Sequence, residues 1–216
     1  MQGGGFLAIW SDVEASMETD YLHWLTREHS AERIGVEGFL ATRVFKALGT
    51  DIHRFFILYE LEGPQLLGGP DYLARLNAPT PWSQRIMPIL GNFVRGGGRQ
   101  VASVGTGQGG VIAAIPLHDT PPSDGARLAA DLASSDRIAA VRVFETDQAR
   151  TSIQTHEKSM RADDRSFAGL LLIEGLDQAA VRTAVERLVA MVPALGVARS
   201  MPLYAYLYGL DRRQLR

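Results

Sequence analysis

The sequence predicts an α+β protein built from two successive units, each with the order strand, helix, strand, strand, helix, strand. Two observations support this prediction. Short apolar runs bounded by Gly and Pro have strand length, and longer stretches carry apolar residues at helical spacing. The same element order also occurs before and after the glycine-rich segment Gly105–Gly110. With 216 residues, 46% of them apolar, the chain can bury a sizeable core.

The first unit opens with a run that is apolar throughout, as expected for a strand covered on both faces. Glycines end its first helix, a Gly-Thr-Asp turn separates its central strands, and Pro79-Thr80-Pro81 interrupts its second helix. The predicted strands are Phe6–Trp10, Phe39–Leu48, His53–Leu61 and Arg99–Val104. The predicted helices are Met17–Ser30 and Pro70–Leu76, and the second of them resumes at Trp82–Leu90.

The second unit repeats this order and contains the clearest helix of the chain. Val181, Val185, Leu188 and Val192 follow one another at spacings of four, three and four, which places them on one helical face. The predicted strands are Val111–Leu117, Ala140–Thr146, Phe167–Ile173 and Leu203–Leu207, and the predicted helices are Ser123–Ala133 and Gln178–Val192.

Each unit has the order of a ferredoxin-like fold, in which the helices cover one face of an antiparallel sheet. The other face is also apolar, so we expect the two sheets to pack against each other within one molecule. The predicted domains are residues 1–105, a linker at 106–110, and residues 111–216. Internal duplication is the simplest account of this order, although residue identity between the halves is weak.

Composition limits the classes of partner and location. The formal net charge is −2, so a nucleic-acid-binding surface is not expected. The chain has no cysteine, which excludes disulfides and thiolate chemistry and fits a cytoplasmic location. No window is apolar enough for a membrane span, and the N-terminus lacks the features of a signal peptide. Gly105–Gly110 has the letters G-x-G-x-x-G, but it leads into a strand, so the phosphate-binding mechanism is absent.

The segment around the first helix end resembles a known family. Trp24-x4-His29, then Gly38-Phe39, then Arg43 on the following strand resemble the dimeric α/β-barrel superfamily, and within it EthD-like and antibiotic-biosynthesis-monooxygenase-like members. Those members often have Pro where this chain has Glu37. The stretch Tyr72–Trp82 also looks like one that recurs in uncharacterised bacterial proteins of this type. The resemblance covers about the first half of the chain and implies that the two units form an intramolecular pseudo-dimer.

The resemblance also implies a small-molecule-binding protein and a class of reaction. The first expectation is cofactor-free oxygenation, isomerisation or a related proton transfer on an aromatic or polyketide-like compound. One alternative is a non-catalytic binding or assembly module, and another is a haem protein with His29 as an axial ligand. Whether the protein is an enzyme stays open at this point, and a homodimer of the fused chain is possible.

His29 is the candidate catalytic acid or base. It lies near a predicted helix end, where unpaired carbonyl groups favour the imidazolium form. The alternative is that His29 simply caps the helix. His23 and His29 are six residues apart and do not share a helical face, so no metal site is expected there. Replacement of His29 by Ala is expected to abolish turnover and to leave stability nearly intact.

All three Trp and three of the five His lie in the first half, so we expect the pocket there and regard the second half as a scaffold. Trp82 and Tyr59 are the candidate apolar walls, with the alternative that Trp82 plugs the gap left by a broken helix. Arg43 or Asn92 is the candidate polar anchor. For Arg43, an ion pair with Glu60 on the neighbouring strand is the alternative, because a buried Arg needs an anionic partner.

Overall fold

A closed barrel of eight antiparallel strands forms the centre of the protein. The computed structural model describes residues 1–50 and 54–215. Around the barrel the strands follow the order β1-β3-β2-β8-β5-β7-β6-β4. They are β1 (Gly5–Asp12), β2 (Phe39–Leu48), β3 (Phe55–Leu61), β4 (Gly91–Val104), β5 (Val111–Leu117), β6 (Ile138–Thr146), β7 (Gly169–Gly175) and β8 (Leu203–Asp211).

Four neighbouring strands of the barrel come from each half of the sequence. Strands β4-β1-β3-β2 form one half of the wall and β8-β5-β7-β6 the other, so both halves have the same internal order. The β2–β8 and β4–β6 pairings join the halves and close the barrel. Closure leaves no free sheet edge. The α+β class predicted from sequence is therefore confirmed.

Helices pack against the outer face of the barrel. They are α1 (Glu18–Trp24), α2 (Ser30–Ile34), α3 (Pro70–Asn77), α4 (Pro81–Ile86), α5 (Gly125–Ala133), α6 (Gln148–Thr151), α7 (His156–Ser159) and α8 (Gln178–Met191). A π-helical turn, Leu25–His29, joins α1 to α2. None of the helices in the described part is both long and apolar enough to cross a membrane.

Side chains that point into the barrel fill its middle, because alternate residues of each strand face inward. Aromatic rings dominate there: the Phe6 and Phe144 rings lie 4.7 Å apart, and the Trp10 and Phe56 rings are also 4.7 Å apart. Two further apolar clusters lie outside the barrel, one between the first-half strands and α1–α4 and one between the second-half strands, α5 and α8.

One end of the barrel interior holds a buried group of four charges, Arg43, Glu60, Arg142 and Glu174. Arg43 donates hydrogen bonds of 2.7 and 3.3 Å to the two carboxylate oxygens of Glu174, and Arg142 also pairs with Glu174. The Arg43 Nε lies 3.7 Å from a Glu60 oxygen. These pairs satisfy charges that would otherwise be costly to bury.

Several elements differ from the sequence-based prediction: β8 extends to Asp211 rather than ending at Leu207, and two further differences bear on the site. Strand β4 begins at Gly91 rather than at Arg99, and its glycines allow close packing in the barrel: a Cβ at Gly96 would collide with the Phe167 ring. Residues 147–166 were assigned no element, yet they contain α6 and α7 and cross onto the first half, and the strand predicted from Phe167 begins at Gly169. The predicted start of the third strand at His53 lies outside the described residues.

Candidate functional site

A small cavity lies between the outer face of the first-half sheet and helices α1 to α3. Its volume is about 30 Å³. Strands β1, β3 and β4 form its floor, and the helices together with part of residues 147–168 cover it. It is lined by Leu7, Ile9, Ser11, Tyr21, Trp24, His29, Arg33, Ile57, Tyr59, Tyr72, Leu76, Met87, Leu90, Phe93, Arg95, Glu157 and Arg161.

The π-helical turn sets the direction of His29. Such turns add a residue to the helical repeat and are frequent at functional sites. Here the Thr26 hydroxyl donates to the Leu22 carbonyl at 2.7 Å, and the Tyr208 hydroxyl donates to the Thr26 carbonyl at 3.3 Å. The Leu22 carbonyl belongs to α1 and the Thr26 carbonyl to the π-helical turn. His29, its last residue, faces the cavity as a result.

His29 is buried and neutral. Its side chain is only 4% exposed, its ring centroid lies 4.1 Å from that of Trp24, and its Nδ1 has no hydrogen-bond partner among the described residues. Burial lowers the pKa of His29 well below its usual value of 6.5, and the charges of Arg33 and Arg161 lower it further. The expectation of a charged His29 at a helix end is therefore wrong, since the helix continues to Ile34.

Trp24 is fixed by a short chain of hydrogen bonds. Its indole N–H donates to the Ser83 hydroxyl at 3.1 Å. The Thr80 side chain accepts from the Ser83 backbone N–H at 3.0 Å, which caps α4, and donates to a Glu28 carboxylate oxygen at 2.5 Å. The ring against which His29 packs is thus held by α4 and by the helix that carries His29.

The second half of the chain closes the cavity. Glu157 of α7 forms a buried ion pair with Arg33 of α2. Arg161, a few residues later, pairs with Asp164 at 2.6 Å, and its guanidinium lies 4.2 Å from the Phe93 ring centroid. The prediction that the first half alone forms the pocket is therefore incomplete, because the segment that supplies these side chains had no sequence signal.

Arg95 is a nearly buried cation without an ion pair in the described part of the chain. It lies on β4, is 6% exposed and lines the cavity. Its proximity contributes to a lowered pKa of Arg161, after the larger effect of burial. Buried charges in proteins are normally paired. Arg95 therefore marks the cavity as a place that can accommodate a negative charge.

Tyr59 lines the cavity, where we expected it. Its hydroxyl is buried and has no hydrogen-bond partner among the described residues. Burial raises the pKa of the Tyr59 phenol, so the group is a hydrogen-bond donor over the physiological pH range. Three residues that line the cavity thus carry a buried polar group without a hydrogen-bond partner among the described residues: the His29 Nδ1, the Tyr59 hydroxyl and the Arg33 Nη1.

Three other residues proposed from sequence lie elsewhere. Trp82 packs outside the cavity, where its indole N–H donates to Asp20 at 3.1 Å. Asn92 is exposed and donates to Asp12 at 2.7 Å. Arg43 points into the barrel, on the opposite face of the sheet, and is held by Glu174 and Glu60, so the ion-pair alternative describes it better. None of the three lines the cavity.

The cavity as it stands has room for about one or two water molecules. Sites for small molecules and cofactors usually measure roughly 300–1,000 Å³. A haem therefore does not fit beside His29 in this arrangement. Within residues 1–50 and 54–215, no three His, Asp or Glu side chains come together as a metal site would require.

Comparisons with known proteins bear on the fold. No family model matches the chain, and no curated protein matches it. Among solved structures, an "anthrone oxidase-like protein" matches with TM-score 0.60 and 14% identity over 98% of this chain and 94% of the other. A "putative monooxygenase" from Fusobacterium nucleatum matches with TM-score 0.57 and 13% identity over 98% and 96%.

A third solved structure, a "putative chlorite dismutase", matches with TM-score 0.55 and 14% identity over 98% of this chain and 97% of that one. At these identities the likeness concerns the fold alone. Because the matches span nearly the whole chain and the eight strands close into one antiparallel barrel, the protein has the dimeric α/β-barrel fold.

Proposed function

We propose that the protein is a small-molecule enzyme in which His29 takes a proton from an aromatic or polyketide-like substrate. The observation that carries this proposal is the neutral imidazole of His29, whose Nδ1 has no hydrogen-bond partner among the described residues, in a cavity that also holds Arg95, a cation without an ion pair in the same part of the chain. A neutral imidazole can accept a proton, and an arginine can stabilise the anion that remains. The Tyr59 hydroxyl, which has no partner in the part of the chain that the structure describes, can donate a hydrogen bond to a substrate carbonyl oxygen.

The positive charges around His29 favour an imidazole that is neutral at rest and takes up a proton only during the reaction. An imidazolium on its own is disfavoured here by burial and by the positive charges of Arg33 and Arg161. When His29 takes a proton from the substrate, an enolate or phenolate forms at the same moment and offsets that charge. Arg95, which has no carboxylate partner in the described residues, then gains a counter-ion. The site is thus suited to reactions that pass through a stabilised anion.

Two reactions follow from such an anion. In an isomerisation, His29 returns the proton to a different carbon and no other reactant is needed. In a cofactor-free oxygenation, a CH2 group beside aromatic rings reacts with O2 to give a carbonyl group and water, so O2 is the oxidant. The names of two similar structures, anthrone oxidase-like and monooxygenase, support the second reaction, although only the fold is shared at this identity.

Substrate binding requires part of the cover to move, since the cavity of about 30 Å³ is too small for an aromatic compound. The cover includes residues 156–161 from the second half, which α7 and the buried Arg33–Glu157 pair hold in place. Separation of this pair would widen the cavity beside His29. An anionic substrate could then take the place of the Glu157 carboxylate at Arg33.

The experiment uses anthrone as the probe substrate. Purified protein is mixed with anthrone in air-saturated buffer, and O2 uptake is compared with anthraquinone formation, which should agree one to one. The His29→Leu variant should lose the activity, whereas His23→Leu, at a half-buried position of α1 that lines neither this cavity nor another, should keep it. Equal rates for the wild type and His29→Leu would exclude His29 as the base.

A non-catalytic binding or assembly module is the second candidate. The nearly filled cavity favours it, because such a module needs no room for a substrate. The third possibility, a haem protein, has less support: one similar structure is called a chlorite dismutase, but a haem does not fit the cavity. Retention of added anthrone or 2-naphthol without turnover would favour the binding module.

We also propose that the chain arose by internal duplication of a ferredoxin-like unit, with residues 1–105 and 111–216 as the two copies. Ala41-x-Arg43-Val44-Phe45 on β2 matches Ala140-x-Arg142-Val143-Phe144 on β6. The pairing also agrees: Ala41 faces Glu60 on β3, and Ala140 faces Glu174 on β7, each next to a β-bulge. We likewise propose, from the resemblance of the first half, that the protein is EthD-like.

A further inference from the structure

A second, larger cavity opens at the end of the barrel opposite the buried charges. Its volume is about 380 Å³, which falls within the range of about 300–1,000 Å³ usual for small-molecule sites. The mouths of β-barrels are among the places where such sites occur. We call it the mouth cavity. It is lined by Trp10, Val94, Ala114, Pro116, His118, Arg165, Ser166, Phe167, Met201, Pro202 and Tyr204.

The mouth cavity is separate from the cavity that holds His29. On β1, Ile9 and Ser11 line the His29 cavity, whereas Trp10, between them, lines the mouth cavity. Neighbouring residues of a strand point to opposite faces of a sheet. The wall of the barrel therefore lies between the two cavities, and a ligand in one does not contact the groups that line the other.

Aromatic rings form rigid walls of the mouth cavity. The Trp10 ring packs 4.7 Å from Phe56 and meets the Phe167 ring edge to face at 5.3 Å and 87°. Tyr204 packs 5.8 Å from Phe56 on the other side. Trp10, Phe167 and Tyr204 are buried in the barrel core, so their positions are fixed by packing. These planar surfaces suit a flat, apolar ligand.

The charge of the lining is positive. Its ionisable residues are Arg165, His118 and Tyr204, and no carboxylate is among the residues that form it. Arg165 is half exposed, and its only ion pair in the described part of the chain is with Asp163, itself half exposed, at 3.0 Å. Such an exposed pair contributes little and leaves Arg165 able to bind another anion.

The backbone of Arg165 is held in place. Its N–H donates to the Phe93 carbonyl at 3.1 Å, and its own carbonyl accepts from the Arg95 N–H at 2.8 Å. The base of this side chain is therefore fixed at the rim of the cavity, next to Phe167. A guanidinium placed in this way can pair with a carboxylate while the ring of the same ligand lies against the aromatic walls.

We propose that the mouth cavity binds a flat aromatic compound that carries a carboxylate, with Arg165 at the anion and Trp10, Phe167 and Tyr204 around the ring. This site is distinct from the His29 site and does not depend on the function proposed there. The anion is recognised at the rim, where the cation lies, and the apolar part enters the barrel.

The experiment titrates the full-length protein with 2-naphthoate and, as a neutral match, with 2-naphthamide. Calorimetry should show saturable binding of 2-naphthoate that is at least fivefold tighter than that of 2-naphthamide. Arg165→Gln should weaken 2-naphthoate binding by about tenfold and leave 2-naphthamide binding unchanged. Arg127→Gln, which removes a highly exposed arginine on α5, is the matched control and should change neither.

Location is tested in the same titration. Binding of 2-naphthoate should quench tryptophan fluorescence, and Trp10→Phe should remove most of that quenching, because Trp24 and Trp82 lie outside the barrel. Met201→Trp, which narrows the half-buried wall, should weaken both probes. If 2-naphthoate does not bind at millimolar concentration, if Arg165→Gln leaves its affinity unchanged, or if His29→Leu rather than Met201→Trp abolishes binding, the proposal is overturned.

Discussion

The imidazole of His29 rests on the indole of Trp24, with the ring centroids 4.1 Å apart and the rings inclined by 31°. Trp24 is fixed in turn by its hydrogen bond to Ser83. The His29 Nδ1 has no partner among the described residues. Packing rather than hydrogen bonding therefore determines the position of His29, and its ring stays free to exchange a proton with a ligand.

Replacement of His29 by Leu should separate activity from stability. Leu keeps the apolar contact with Trp24 and removes a buried polar atom that has no partner within residues 1–50 and 54–215, so the free energy of unfolding should stay equal or rise. Turnover of anthrone should fall by about 100-fold or more, the usual contribution of a general base. Urea unfolding and O2 uptake measure the two effects. His29→Ala, which the sequence alone predicted to leave stability nearly intact, should instead lose about 1–3 kcal/mol, because His29 is buried against Trp24 and its removal leaves a void.

The stability of the protein should fall as the pH drops below about 6.5. In the unfolded chain His29 has its ordinary pKa of 6.5, whereas burial holds the folded pKa well below that value. Between the two pKa values the unfolded state binds the proton, so the contribution of His29 to stability is lost by up to about 1.4 kcal/mol per pH unit.

This pH effect is measured by urea unfolding at several pH values from 5 to 8, compared between the wild type and His29→Leu. Other titrating groups affect both proteins alike, so the slope that belongs to His29 appears as the difference. In NMR spectra the His29 ring should remain neutral at pH 6. An identical pH dependence of the two proteins would show that His29 is accessible to protons in the fold.

Much of the fold could be predicted from sequence because its signals are local. The β2 strand, Phe39–Leu48, was predicted with its observed bounds from a β-rich run between turn residues, and α8 from its apolar stripe. Strand β4 was predicted to begin at Arg99, so Gly96-Gly97-Gly98, which lie within it, were not recognised as strand residues. Only the approach of Phe167 in the folded barrel explains why a strand needs glycine there.

The site was harder to predict because it depends on contacts between distant segments. His29 was chosen from the resemblance of its segment and from its predicted position near a helix end, and Tyr59 as an apolar wall; both line the cavity. Arg161 could not, since no local pattern shows that a segment of the second half crosses over the first. Arg43 and Arg95 look alike in sequence, and the structure distinguishes them: Arg43 meets Glu174, whereas Arg95 meets no carboxylate in the described residues.

Arg95 and Arg33 should therefore respond differently to replacement by Met. Arg95→Met removes a nearly buried cation that has no ion pair among the described residues, so stability should be unchanged or higher. Arg33→Met leaves Glu157 buried without its partner and should cost about 3–5 kcal/mol. Urea unfolding measures both. If turnover is found, Arg95→Met should lower kcat more than it raises KM, because the charge is needed mainly in the anionic state. Equal losses of stability would show that Arg95 is paired in solution.

Glu174 and Glu60 provide the last test, since both are fully buried carboxylates but hold different partners. Glu174 accepts from Arg43, Arg142 and the Gly109 N–H, so Glu174→Gln leaves two buried guanidinium groups without a full counter-charge. It should cost about 3–5 kcal/mol. Glu60 accepts its shortest bond from the Gln2 N–H at 2.8 Å and lies 3.7 Å from Arg43. Glu60→Gln keeps an acceptor for Gln2 and should cost about 1 kcal/mol.

Because Arg43 and Glu174 come from different halves of the chain, Glu174→Gln should also weaken the association of the halves, which hydrogen exchange at the β2–β8 pairing would detect. Equal costs for the two variants would contradict a network centred on Glu174.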